Sequence, residues 1–368
     1  MHVLLVVGTL AALVAAVPSK NPYASALAPP YLNLLAKAKG KLWFGTATDI
    51  PGVEQQDQEY MSILNDSKIF GQLTPANAMK FQFTEPEQNN FTYAGGQEVI
   101  DLAKQHGNRY VRCHNLVWVT EVSEWVLDRN WTAEALTEVM KNHIYNVVTH
   151  FGDSCYSWDV VNEALNDNGT WAPSVWFDTI GPEYFYKAYQ FAEEAVKLTG
   201  KDIKLYYNDY NIEYPGPKAT GVVGLVKELK RRKLKIDGVG LETHYEVGTA
   251  PSYEQQIEAS KMYTALGVDI ARTELDVRFT QLPYNSSGLA LQAKEYYDAV
   301  KSCVDIRQCI GMTVWDFVDK YSWVPGTFPG KGGADIYGLG NSNYTRKPAY
   351  YAVGDALAGH PCSVCGHN

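Results

Sequence analysis

Apolar runs of strand length recur along this chain, and between them lie longer stretches whose apolar residues return every three or four positions. The first pattern predicts buried strands and the second amphipathic helices. Strands are expected over residues 42–49, 69–77, 109–118, 157–163, 204–210, 238–244, 268–277 and 310–315. Helices are expected over 97–107, 132–151, 182–199, 217–233, 253–266, 289–305 and 348–358. Thr132 offers an N-cap to the second helix, although the Glu that would complete a capping box is only approximately placed. Gly107 and Gly200 stop the first and third. Eight strands alternating with helices at this spacing predict an α/β fold, a (β/α)8 barrel in a single domain. A doubly wound sheet fits less well. No Gly-x-Gly-x-x-Gly follows the first strand, and polar residues gather at the end of nearly every strand instead of at one crevice.

Those strand ends carry the chemistry. Asp49, Asn77 with Lys80, His114 and Trp118, Asn162 and Glu163, Asn208 and Tyr210, Glu242 and His244, Glu274 and Asp276, and Trp315 all fall at or just past a C-terminal end. In a barrel these positions share one mouth, which is where catalysis sits in this fold. The strand 268–277 delivers Glu274 out of an apolar run, with Asp276 on the same face, and the strand 157–163 delivers Glu163. No phosphate loop, no Gly-x-Ser-x-Gly elbow and no Cys/His set at metal spacing is present, so no metal and no cofactor is expected. Carboxyls among aromatic residues suit glycosidic bond cleavage, where one carboxyl protonates the leaving oxygen and another meets the oxocarbenium-like centre.

Composition narrows the setting. A chain of 368 residues without low-complexity runs can bury a large core. A net charge of −9 without a basic cluster argues against nucleic acid and anionic membranes as partners. The 9 Trp and 25 Tyr offer rings that stack on sugars. Residues 4–17 form an apolar run followed by Pro18-Ser19-Lys20, too short to cross a bilayer. It reads as a secretory signal over 1–17, leaving a catalytic domain over 21–368 with a short Cys-containing tail. The N-x-Ser/Thr acceptors Asn65, Asn90, Asn130, Asn168, Asn285 and Asn343 fit a secreted, extracellular glycoprotein. In that compartment cysteines pair by default. Cys303 with Cys309 and Cys362 with Cys365 are close in sequence, and Cys113 and Cys155 sit early in neighbouring strands. The protein is expected to act as a monomer on a carbohydrate.

The run Trp158-Asp159-Val160-Val161-Asn162-Glu163-Ala164, together with Thr273-Glu274-Leu275-Asp276, resembles glycoside hydrolase family 10, the family of retaining endo-β-1,4-xylanases. Matching segments include Phe44-Gly45-Thr46-Ala47, Thr74-Pro75, Leu116-Val117-Trp118, Thr243-His244, Thr313-Val314-Trp315 and Lys347-Pro348-Ala349-Tyr350. The resemblance implies that Glu163 is the acid/base and Glu274 the nucleophile. It implies that Asn162 bonds the 2-hydroxyl of the cleaved sugar, and that His244, held by Asp276, keeps Glu274 ionised. Trp315 and Trp323 would floor the −1 subsite, His114 would touch its hydroxyls, and Asn77 and Lys80 would hold the −2 sugar. Trp118 and Tyr210 complete the expected pocket.

Several positions depart from the family pattern. Ala76 stands in place of Glu, Phe81 of Trp, Val119 of His, Glu121 and Glu242 of Gln, and Val318 of Arg. They leave three readings open. One is a secreted endo-xylanase acting on plant xylan by double displacement. Another is a family-10 glycosidase of altered specificity, such as a tomatinase-like enzyme acting on a steroidal glycoalkaloid. The third is a non-catalytic sugar-binding or inhibitor-like barrel.

Overall fold

The computed structural model describes residues 29–339 and 343–366, so the expected signal segment lies outside the described residues. Eight strands form the barrel: β1 (Trp43–Thr48), β2 (Gln72–Pro75), β3 (Tyr110–Cys113), β4 (Ser157–Asn162), β5 (Lys204–Asp209), β6 (Gly238–Leu241), β7 (Asp269–Arg278) and β8 (Cys309–Val314). Each pairs in parallel with the next. The ring closes where β8 meets β1, with Gly311 opposite Trp43. A side chain at Gly311 would run into the Trp43 indole, so the glycine permits that closure.

The strands are buried over nearly all of their length because one face meets the helices and the other the barrel interior. Between strands and helices lies the apolar core, supplied on the helix side by residues such as Leu136, Met140 and Ile144 of the helix Ala133–Phe151. Part of the interior is polar. Gln72 Nε2 donates to Thr74 Oγ1 at 2.7 Å, and Thr313 Oγ1 donates to Gln72 Oε1 at 2.6 Å. These bonds satisfy groups that would otherwise be costly to bury.

Two expected strands are broken. The stretch 109–118 divides into β3 and the short strand Val117–Trp118, which pairs with the end of β4; a cis peptide joins His114 to Asn115 between them. Likewise β6 stops at Leu241, Thr243 takes φ +68°, and His244–Glu246 pairs separately with β7, His244 opposite Asp276. Periodicity missed both breaks because each falls on a polar pair, His114-Asn115 or Glu242-Thr243, too short to end a strand on pattern alone. It also missed the helices Leu32–Ala38, Gln58–Leu64 and Val175–Ile180, each too short to show a repeat. Thr132 caps its helix by accepting from Ala135 N, while the complete capping box belongs to Ser252 and Gln255.

All three expected disulfides are present: Cys113–Cys155, Cys303–Cys309 and Cys362–Cys365. Five of the six acceptor asparagines are exposed, and Asn65 is half-buried at the end of the helix Gln58–Leu64.

Candidate active site

The C-terminal strand ends converge on Asn208, at the end of β5. Its Nδ2 lies 2.8 Å from Asn162 Oδ1, 2.7 Å from Glu274 Oε1 and 3.0 Å from Glu242 Oε1. Its Oδ1 accepts from Thr273 Oγ1 at 2.7 Å. Gly240 on β6 makes this packing possible, since a Cβ there would collide with Asn208 Oδ1. Asn162 Nδ2 in turn donates to Glu163 Oε1 at 3.3 Å. One hydrogen-bonded chain therefore runs from Glu163 through Asn162 and Asn208 to Glu274. Glu163 leaves β4 with φ +55°, a left-handed kink of the kind that collects at functional sites.

The two glutamates meet different surroundings. Glu274 is 5% exposed. Burial alone would push its carboxyl up, but the hydrogen bond to His244, the nearby His114 and the bond from Asn208 outweigh it, and the net shift is downward. His244 Nε2 lies 3.4 Å from Glu274 Oε2, and Nδ1 lies 2.9 Å from Asp276 Oδ2. Burial opposes a charge on His244; the Asp276 carboxylate, helped by Glu274, overcomes it and raises the imidazole to about 10. His244 is thus a cation at neutral pH, with one N–H for each carboxylate.

Glu163 is partly open to solvent, and burial of its carboxyl together with the charge of Glu274 raises it to about 7. The Trp118 indole N–H, which has no other partner among the described residues, works against that rise. One carboxyl is therefore poised to carry a proton near neutrality and the other to stay ionised. Glu242 is a third, pushed well up by burial and by the charges of Glu274 and Glu163.

The remaining expected residues frame this core. Trp323 Nε1 donates to Asp276 Oδ2 at 2.7 Å, and its ring lies 4.9 Å from that of His244. Trp315 stands edge-on between His114 and His244, at ring distances of 5.4 and 6.4 Å. His114 is fixed from behind, Nδ1 being 3.0 Å from Asp159 Oδ2, and Asp159 also pairs with Arg112. Lys80 Nζ donates to Asn77 Oδ1 at 2.7 Å and stands 4.9 Å above the Trp118 ring; Asn77 Nδ2 donates to Asp49 Oδ1 at 2.5 Å. Tyr210 is half-buried, with Lys218 Nζ 3.4 Å over its ring and 2.7 Å from Asp209 Oδ1.

Sequence reasoning placed Asn208 at a strand end without seeing that it joins four side chains, and it passed over Lys218, a helix residue. Of the departures from the family pattern, Phe81 stacks on buried His143 at 3.7 Å and Val318 is fully buried, so both serve the core. Ala76 packs with Ala47 and Trp315, and Glu121 accepts from Gln82.

Known proteins resemble this chain over most of its length. The chain is 47% identical over 327 residues to endo-1,4-beta-xylanase D of Talaromyces funiculosus, spanning 89% of this chain and 77% of that protein. It is 46% identical over 322 residues to endo-1,4-beta-xylanase A of Phanerodontia chrysosporium, spanning 88% and 76%. The solved structure of Penicillium canescens endo-1,4-beta-xylanase XylE superposes with a TM-score of 0.88 at 53% identity, covering 91% of this chain and 99% of that one. A xylanase of the same family from Bispora sp. MEY-1, solved with xylobiose, gives 0.86 at 53% identity, covering 88% and 99%. The model of glycosyl hydrolase family 10 matches residues 31–356. On that match and on the barrel that carries it, this chain belongs to glycosyl hydrolase family 10 and is a glycoside hydrolase.

Proposed function

We propose that this protein is a secreted, endo-acting xylanase that cleaves internal β-1,4-xylosidic bonds of plant xylan with retention of configuration. The observation that carries the reading is the opposed environment of the two glutamates, one raised to about 7 and the other held below its ordinary range. In the first step the Glu274 carboxylate attacks the anomeric carbon while Glu163 gives its proton to the departing oxygen. The glycosidic C–O bond breaks and a glycosyl ester forms on Glu274. Esterification removes the negative charge that helped to raise Glu163, so Glu163 becomes a better-stabilised carboxylate. It then takes a proton from water, whose oxygen attacks the same carbon and frees Glu274. Asn162, hydrogen-bonded beside Glu163, is placed to meet the sugar's 2-hydroxyl.

Support for xylan as substrate comes from the relatives, which are endo-xylanases by name. They do not favour the glycoalkaloid reading. Support for secretion comes from the signal-like N-terminal run and from three disulfides, which persist in oxidising compartments. Hydrolysis of xylohexaose followed by proton NMR should release a β-anomer first; an α-anomer would end the retaining mechanism. Rates on arabinoxylan and on α-tomatine, measured side by side, should strongly favour the polysaccharide. The reverse preference would replace xylan as the substrate.

A further inference from the structure

Two carboxyls and an orienting imidazole suffice for the reaction above, which leaves Glu242 without a task. It is 1% exposed. Its Oε1 is tied to Asn208 Nδ2, whereas its Oε2 accepts no hydrogen bond among the described residues and faces His244 Nε2 at 3.9 Å. Glu274 repeats the arrangement, with Oε1 held by Asn208 and Oε2 at 3.4 Å from the same imidazole nitrogen. One donor atom from each of Glu242, His244 and Glu274 lies within 4.8 Å of the other two.

That triangle has the chemistry of a metal site. A tetrahedral ion with bonds of about 2.0–2.2 Å wants its donor atoms roughly 3.4 Å apart, so small side-chain rotations would close the three atoms around it. The supports are already in place. His244 presents Nε2 forward while Nδ1 rests against Asp276, the carboxylate–histidine pairing that orients metal-binding imidazoles. Trp323 holds that Asp276, and Asn208 holds the rear oxygens of both glutamates. One imidazole and two carboxylates suit zinc or copper; calcium and magnesium prefer six or more oxygens.

We propose that Glu242, His244 and Glu274 form an inhibitory site for a zinc-class divalent ion, bound at the catalytic mouth in competition with the sugar. The ion displaces to solvent the His244 Nε2 proton and any proton on Glu242, and it occupies the carboxylate needed for attack, so the free enzyme is trapped and the glycosyl ester cannot form. Glu242 is what completes the site, because an amide in its place would leave only one anionic ligand.

The test uses ZnCl2 as the probe. Calorimetric titration of the full Glu163→Gln protein, which lacks the acid/base but keeps all three donors, should show one zinc per chain, reversed by EDTA. Adding Glu242→Gln should weaken that event at least tenfold, and adding Asp276→Asn instead should weaken it by about tenfold. Thermal melts of each variant establish that it is folded. In the wild type, zinc should raise the apparent KM for xylan without lowering kcat, and equal MgCl2 should do neither. Unchanged zinc affinity after Glu242→Gln, or equal inhibition by magnesium, would overturn the site. The kinetic arm rests on the xylanase reading, but the calorimetry does not, so the two can fail separately.

Discussion

Glu163 and Glu274 face one another across the mouth, yet one side of that mouth is built loosely and the other tightly. Around Glu163 stand a 3.3 Å bond from Asn162, the Trp118 indole and solvent. Around Glu274 a layered frame of Asn208, His244, Asp276 and Trp323 leaves little freedom. The difference follows the work each group does. An acid/base must change protonation state twice per turnover and needs an environment that commits to neither. A nucleophile needs one charge state and one position, and fixed donors supply both.

Breaking the tight side should cost most. Glu274→Gln removes the attacking atom and should lower kcat on xylan by about 10⁴-fold or more, read from reducing-sugar release. Breaking the loose side should cost less and depend on the leaving group. Glu163→Gln should reduce kcat/KM on xylan by roughly 10²–10⁴-fold while sparing an aryl xyloside whose phenolate needs no proton. Equal losses on both substrates would remove Glu163 from the acid role.

His244→Ala sharpens the comparison by loosening the tight side. Loss of one charge-assisted bond, about 1.5–3 kcal/mol, should lower kcat/KM roughly ten- to a hundredfold. Glu274 must be ionised to attack and His244 holds its carboxyl down, so the variant should lose activity at a higher pH on acidification. An unmoved acid limb would free Glu274 of that dependence. On the other limb the acid must be protonated, so wild-type kcat/KM should fall as pH rises through about 7. The smallest effect belongs to Trp118→Phe. Without a donor that favours the ionised form, Glu163 should titrate higher and the basic limb should move up by about a few tenths of a pH unit.

The two sides were also unequally legible in the chain. Glu163 and Glu274 each follow an apolar run, and a carboxyl in that position has few structural uses, so both could be read directly. The barrel was equally plain, because strands buried on both faces leave long apolar runs. The frame was harder to see. Asn208 acts through contacts from β4, β6 and β7 that exist only once the ring has closed, and an asparagine at a strand end carries no period. Lys218 looks like any lysine early in a helix until the helix is set beside β5. The breaks after Cys113 and Leu241 escaped for a related reason: each turns on two polar residues, His114-Asn115 and Glu242-Thr243, too few to mark the end of a strand before the backbone is seen to change direction.

The amide of Asn208 carries two hydrogens, and three oxygens crowd it. The amide alone is therefore one hydrogen short. Burial and the charges of Glu274 and Glu163 push the Glu242 carboxyl well up and so favour a proton on it, and that proton is the hydrogen the amide cannot supply. The empty mouth thus meets its own shortage of donors by taking a proton from solvent. Asn208→Asp would take away the donor as well as add another acceptor, turning that shortage into open repulsion at the centre of the mouth.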